Sequence, residues 1–146
     1  MRKEFIEYLE SIGVTKPIQE RIETIHADCV EICKDEMRDI FVTDYIKAEG
    51  EREYENVWFF SDNSVMEGKN FIRADDIDIT PLKGLFYVRF QKTDYDLKKA
   101  TDKSRLLVTC LFGENTNSIR GEFKASKENC DYLKKIILKY MVSHLR

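Results

Sequence analysis

Three residues able to ligate a transition metal lie close together in the first third of the chain: His26, Cys29 and Cys33. On a helix this spacing puts one imidazole and two thiols on one side, a donor set that suits zinc. The plainer reading is packing. Cys29 falls in the middle of an apolar stripe, Ile18, Ile22, Ile25, Cys29 and Ile32, and a free cysteine commonly packs as a small hydrophobe. No CxxC pair elsewhere supplies the missing ligands, so no metal site is expected. Cysteine-nucleophile chemistry needs a thiolate beside a histidine, and the only histidines are His26 and His144. No P-loop, dinucleotide glycine pattern, nucleophile elbow or HExxH occurs. These features predict a protein that is not an enzyme and uses no cofactor.

Two charged clusters remain. Asp75, Asp76 and Asp78 lack the Asp-x-Asp-x-Asp-Gly order of an EF-hand loop and read as a solvated strand edge, where charge discourages pairing. The segment 92–105, KTDYDLKKATDKSR, sets Lys92, Lys98, Lys99, Lys103 and Arg105 against three aspartates. It reads as a long loop between two apolar strands, and long loops on a rigid scaffold are where binding concentrates. Those five residues are the candidate binding residues, with a merely solvated tip as the plainer reading. The aromatic residues Phe59, Phe86, Phe90, Phe112 and Phe123 are assigned to the core. They do not form a platform for nucleic acid, because the strands carry few basic residues.

Composition bounds the rest. The chain has 146 residues, 42% hydrophobic and 35% charged, with 24 basic and 27 acidic residues for a net charge of -3. That is enough apolar matter for one core and offers no global attraction to nucleic acid or an anionic membrane. No run approaches the roughly 20 apolar residues of a membrane span, and the first residues lack a signal-peptide pattern. The four cysteines, Cys29, Cys33, Cys110 and Cys130, are therefore read as reduced thiols and the location as cytoplasmic. No repeat or linker interrupts a single domain over residues 1–146.

The elements that position these residues follow from periodicity. Phe5, Ile6, Leu9 and Ile12 predict a helix over 2–12 closed by Gly13. Thr15 and Pro17 open a second helix to about Glu36. The period then changes to two. Strands are predicted near 40–48, 55–61, 64–68, 76–80, 84–92, 105–112 and 118–125, separated by Gly, Pro and Asn turn signals. Ser126 is expected to cap a final helix, 127–144. Its apolar face is Cys130, Leu133, Ile137, Tyr140, Met141 and Leu145. The fold class is α+β: an N-terminal helical hairpin over 1–37, then about seven antiparallel strands and a C-terminal capping helix over 38–146.

Three segments are similar to parts of pleckstrin-homology-like (PH-like) domains, especially small bacterial ones. VWFFSDNSVMEG (57–68) resembles an early strand–turn–strand, and IRADDIDITPLKG (72–84) the short strand after it. LLVTCLFGENTNSIRGEFKASKENCDYLKKII (106–137) resembles the closing hairpin and helix. The resemblance covers about 39–146 and implies a PH-like barrel or sandwich. It also implies a non-catalytic interaction module that binds a protein or peptide, self-association included, through loops, a sheet edge or the groove beside the last helix. PH domains that bind phosphoinositides use basic residues of the first hairpin loop. The matching segment here, AEGEREY at 48–54, sets Glu49, Glu51 and Glu53 against Arg52, so no phosphoinositide binding is expected. The alternative is an NTF2-like cone that binds or transforms a small molecule in a pocket between the first helices and the sheet.

Overall fold

Both faces of one sheet are buried in this protein, and that fact organises the whole chain. The computed structural model describes residues 1–46, 52–96, 99–114 and 116–145. Two helices come first, α1 (Lys3–Ser11) and α2 (Lys16–Cys33). Strands β1 (Asp39–Ile46), β2 (Arg52–Phe60), β3 (Ser64–Lys69) and β4 (Asp76–Pro81) then form an antiparallel meander in that order. A single 3₁₀ turn leads to β5 (Leu85–Thr93), β6 (Arg105–Glu114) and β7 (Asn117–Ser126), a second antiparallel sheet. The chain ends in α3 (Asn129–Ile136), which continues through a π turn, Ile137–Met141, and a 3₁₀ turn, Val142–Leu145. The architecture is thus the expected α+β order, with two sheets that face each other and are not closed into one.

Alternation along the strands sends one row of each to each face. On the first sheet, Ile40, Val42, Val57, Phe59 and Met66 meet the helical hairpin, with Phe59 5.3 Å from the His26 ring and 6.5 Å from Phe5. The opposite row, Phe41, Trp58 and Phe60, meets the second sheet and α3: Trp58 lies 4.1 Å from Phe123, and Phe60 4.9 Å from Tyr140. A sheet covered on both faces reads as a continuous apolar run, which explains VWFF at 57–60. The contact with α2 also needs Gly68. A Cβ there would lie 3.0 Å from Val57 Cγ1 and 3.2 Å from Ile25 Cγ2.

Several details depart from expectation. Helix α2 stops at Cys33 because Lys34 takes the left-handed conformation (φ 51) and its N–H bonds back to the Val30 carbonyl. Ile32 is exposed, and the buried stripe passes from Cys29 to the half-buried Cys33. Ser126 does not cap α3. It is the last residue of β7, and its backbone N–H donates to Asp44 Oδ1 at 3.1 Å. Lys127, at φ 52, turns the chain into the helix, which begins two residues later. Arg52 and Tyr54 lie in β2 rather than in a hairpin loop, and residues 48–51 of the AEGEREY segment lie outside the described residues. Phe86 and Leu145 are exposed rather than core.

Candidate functional site

The metal-like trio is taken up by packing. Cys29 is fully buried, His26 sits edge-on to Phe5 and Phe59, and the Cys33 thiol lies 3.1 Å from Met66 Sδ. Among the described residues no group of three or more His, Cys, Asp or Glu converges on one point. Burial pushes the thiols of Cys29, Cys110 and Cys130 up to about 12, which keeps them protonated and poorly nucleophilic near neutrality. Asp76 and Asp78 stand exposed on β4, the edge of its sheet, and Asp78 pairs with Lys69 at 2.7 Å. Asp75 pairs with Arg21 instead, at 2.5 Å.

Of the five candidate binding residues, Lys92, Lys99, Lys103 and Arg105 lie among the described residues, on two strands and in the segment between them. Lys92 and Arg105 stand at neighbouring register positions on β5 and β6, paired with Leu106 and Thr93 respectively. Alternation therefore sends them to opposite faces. The Arg105 guanidinium folds back onto the carbonyls of Asp102 and Ser104, 3.0 and 2.8 Å away. Lys99 and Lys103 are exposed, and Lys98 lies outside the described residues. The segment between the strands is anchored rather than a free tip. Tyr95 is buried and donates to Asp131 Oδ1 at 2.8 Å, while the Ala100 N–H donates to Asp131 Oδ2 at 3.1 Å. Burial, and then the bond to Asp131, raises the Tyr95 phenol above its ordinary range. The Ser104 hydroxyl donates to the Asp94 carbonyl at 2.8 Å.

The side of the last helix, one of the binding places named from the sequence, meets the sheet at β5. Strand β5 is an edge strand, and among the described residues no strand pairs with its outer side. Its inward row runs from Val88 and Phe90, both half-buried, to the exposed Lys92, with Phe86 exposed at an irregularity in the register. The last turn of the chain, Val142–Leu145, packs on this strand. Asp131 and Lys134 lie one turn apart on α3, before the π turn changes the period. Leu138 is 49% exposed and Leu145 42%. Beside the last turn of the chain, β5 presents a row of backbone N–H and C=O groups that no described strand pairs. Lys83 and His144 line a shallow pocket with Asn63, Ser64 and Pro81. The sequence signal for this edge was present in Leu145 and Phe86, apolar residues that both looked like core.

A second hollow, about 900 Å³ and wide open, lies between the α1–α2 turn and β2, lined among others by Ile18, Arg52, Tyr54, Ile72 and Arg73. It stands where a small-molecule cone would have its pocket. Its Arg52 guanidinium is already bonded to Asp44 Oδ2 at 2.7 Å and to Glu128 Oε1 at 3.0 Å.

No helix among the described residues is long and apolar enough to cross a membrane. No protein-family model matches the chain, and no curated protein matches it. It is similar to a solved structure, the C-terminal domain of an unknown protein from Leishmania infantum. The two are 9% identical with a TM-score of 0.51, over 83% of this chain and 98% of that one. At that identity the likeness concerns the fold alone.

Proposed function

We propose that the protein is a non-catalytic, PH-like interaction module that takes up an extended segment of a protein partner as an added strand on β5. The observation that carries this reading is the edge position of β5, which no described strand pairs, with the last turn of the chain packed on it. Strand addition supplies affinity through main-chain hydrogen bonds and specificity through side-chain pockets on alternate residues. Of the four edge strands, β1 and β7 lie against each other, β4 presents Asp76 and Asp78 and ends in Pro81, and β5 presents Phe86, Tyr87 and Val88. Lys92 stands on β5 and Lys83 in the turn that leads into it, so the segment that β5 suits carries apolar residues interspersed with acidic ones. The four-plus-three order of sequential strands and the packing of the last helix favour the PH-like reading over a cone. The location that goes with it is cytoplasmic.

Selection from a displayed library of random peptides tests this. Acidic–apolar sequences should be enriched, and Leu138→Arg should weaken their binding about tenfold or more, the scale of a central interface residue. The bound peptide should slow amide exchange along β5. Failure to enrich, or binders that leave β5 amides unprotected, would overturn the reading. Binding of a small metabolite in the 900 Å³ hollow would favour the cone instead.

A further inference from the structure

Arg105 opens β6 on the face of the second sheet that looks away from the first. Val108 pairs with Phe123, and Phe123 packs on Trp58, so the row of Leu106 and Val108 faces the first sheet. Alternation turns Arg105 and Leu107 to the other side, beside Thr93 and Gln91 of β5 and Ser126 and Lys124 of β7. With Asp44, these six residues line an open hollow of about 370 Å³. Three of the seven carry charge, and two of those are matched inside the fold. Asp44 accepts from Arg52 Nε at 2.7 Å, and Lys124 Nζ lies 3.9 Å from Glu55 Oε2. Arg105 meets no carboxylate among the described residues.

The Arg105 guanidinium is held in place by its own chain. Its Nη1 donates to the carbonyls of Asp102 and Ser104, at 3.0 and 2.8 Å. Those bonds leave Nε–H and an N–H of Nη2 side by side on the planar fork. Two parallel donors of that kind match the two oxygens of one carboxylate. Gln91 and Thr93 add an amide and a hydroxyl to the lining, and Leu107 an apolar surface for a short stem. The unmatched charge is a single positive one, which suits a carboxylate better than a phosphate carrying close to two negative charges.

We propose, resting on the strand-addition reading above, that this hollow receives the carboxylate of a glutamate side chain from the segment added on β5. Arg105 stands one strand in from the edge and pairs in register with Thr93. Neighbouring strands lie about 4.8 Å apart, so a residue of the added strand opposite Thr93 stands about 9–10 Å from Arg105. Thr93 is exposed and small, and the path over it is open. A glutamate covers its share of that distance to a guanidinium that does not swing out. An aspartate is one methylene too short.

The hollow is tested first without any strand. The full chain is titrated with Nα-acetyl-glutamate methylamide and followed at the Arg105 Nε–H and the Thr93 amide in ¹⁵N–¹H spectra. A saturable shift is expected, and none with the glutamine counterpart. Arg105→Met should abolish the shift at Thr93, and Arg105→Lys, which keeps the charge and loses the fork, should weaken binding about tenfold. Leu107→Trp fills the hollow with Arg105 kept, and it should abolish the shift even if Arg105→Met misfolds. No shift, a shift matched by the glutamine compound, or tighter binding of inorganic phosphate would overturn the carboxylate site. The source is tested with an acidic–apolar peptide selected on β5. Replacing its glutamate opposite Thr93 by glutamine or aspartate should weaken binding about tenfold to the natural chain and not at all to Arg105→Met. Equal weakening in both, with the glutamate compound still bound, would assign the hollow to a free acid and overturn the source. Peptides that bind along β5 without a glutamate preference would sink this inference and leave strand addition standing. Failure to select any peptide removes the source, and the titration still decides the hollow.

Discussion

Asp44 holds together parts of the chain far apart in sequence. Its side chain is fully buried and accepts from the Ser126 N–H, from Asn129 Nδ2 at 2.7 Å and from Arg52 Nε at 2.7 Å. Arg52 passes the connection on to the Ile12 carbonyl at 2.9 Å, and Asn129 accepts from the Tyr8 hydroxyl at 2.8 Å. Burial raises the Asp44 carboxyl above its ordinary value, against the bonds from Asn129 and Arg52 that pull it down. Removing one partner of such a pair strands a charge away from water. Arg52→Met should therefore cost about 3–5 kcal/mol in urea unfolding, and a loss under about 1 kcal/mol would mean the pair is dispensable. None of this was legible in the residues. Arg52 sits among glutamates in EGEREY and reads as loop surface, because the carboxylate it serves has no signature except an aspartate in an apolar strand.

The elements themselves were largely legible. Strand by strand, an alternating or continuous apolar pattern placed each segment within a few residues of where it lies, because burial of one or both faces dictates side-chain type at period two. The ends of helices were less so. Helix α2 ends three residues before the expected Glu36, at a lysine in a conformation that strains any residue with a Cβ. Lys34→Gly should accordingly raise stability by about 1 kcal/mol, read as a higher urea midpoint with unchanged slope. A lower midpoint would show that the lysine side chain contributes more than its backbone costs. The start of α3 was misread for a related reason. Ser126 has the right type for a cap, but its backbone is consumed by β7 and Asp44, and helix capping requires a residue free to turn.

At the scale of the molecule, the helical hairpin is part of the core. Ile22, Ile25, Cys29 and Phe5 cover the outer face of the first sheet, and all are buried. A chain shortened to residues 38–146 would expose Ile40, Val42, Val57, Phe59 and Met66 at about 1.5–3 kcal/mol each. Their sum rivals the whole stability of an ordinary domain. The truncated chain should lose its near-ultraviolet circular dichroism and bind a hydrophobic dye; a cooperative thermal transition would refute this. The resemblance to PH-like domains began at about residue 39 and left the hairpin unexplained, since local pattern shows that a helix has an apolar face but not what the face covers. Sequence alone determined the element order, the strand count and the absence of a recognisable catalytic motif, because side-chain periodicity and short motifs are local properties. Tertiary structure decided the rest. It sent Lys92 and Arg105 to opposite faces, and it left the outer side of β5 without a paired strand among the described residues. Each depends on which surfaces meet across many intervening residues, and the chemistry of a side chain does not encode its distant neighbour.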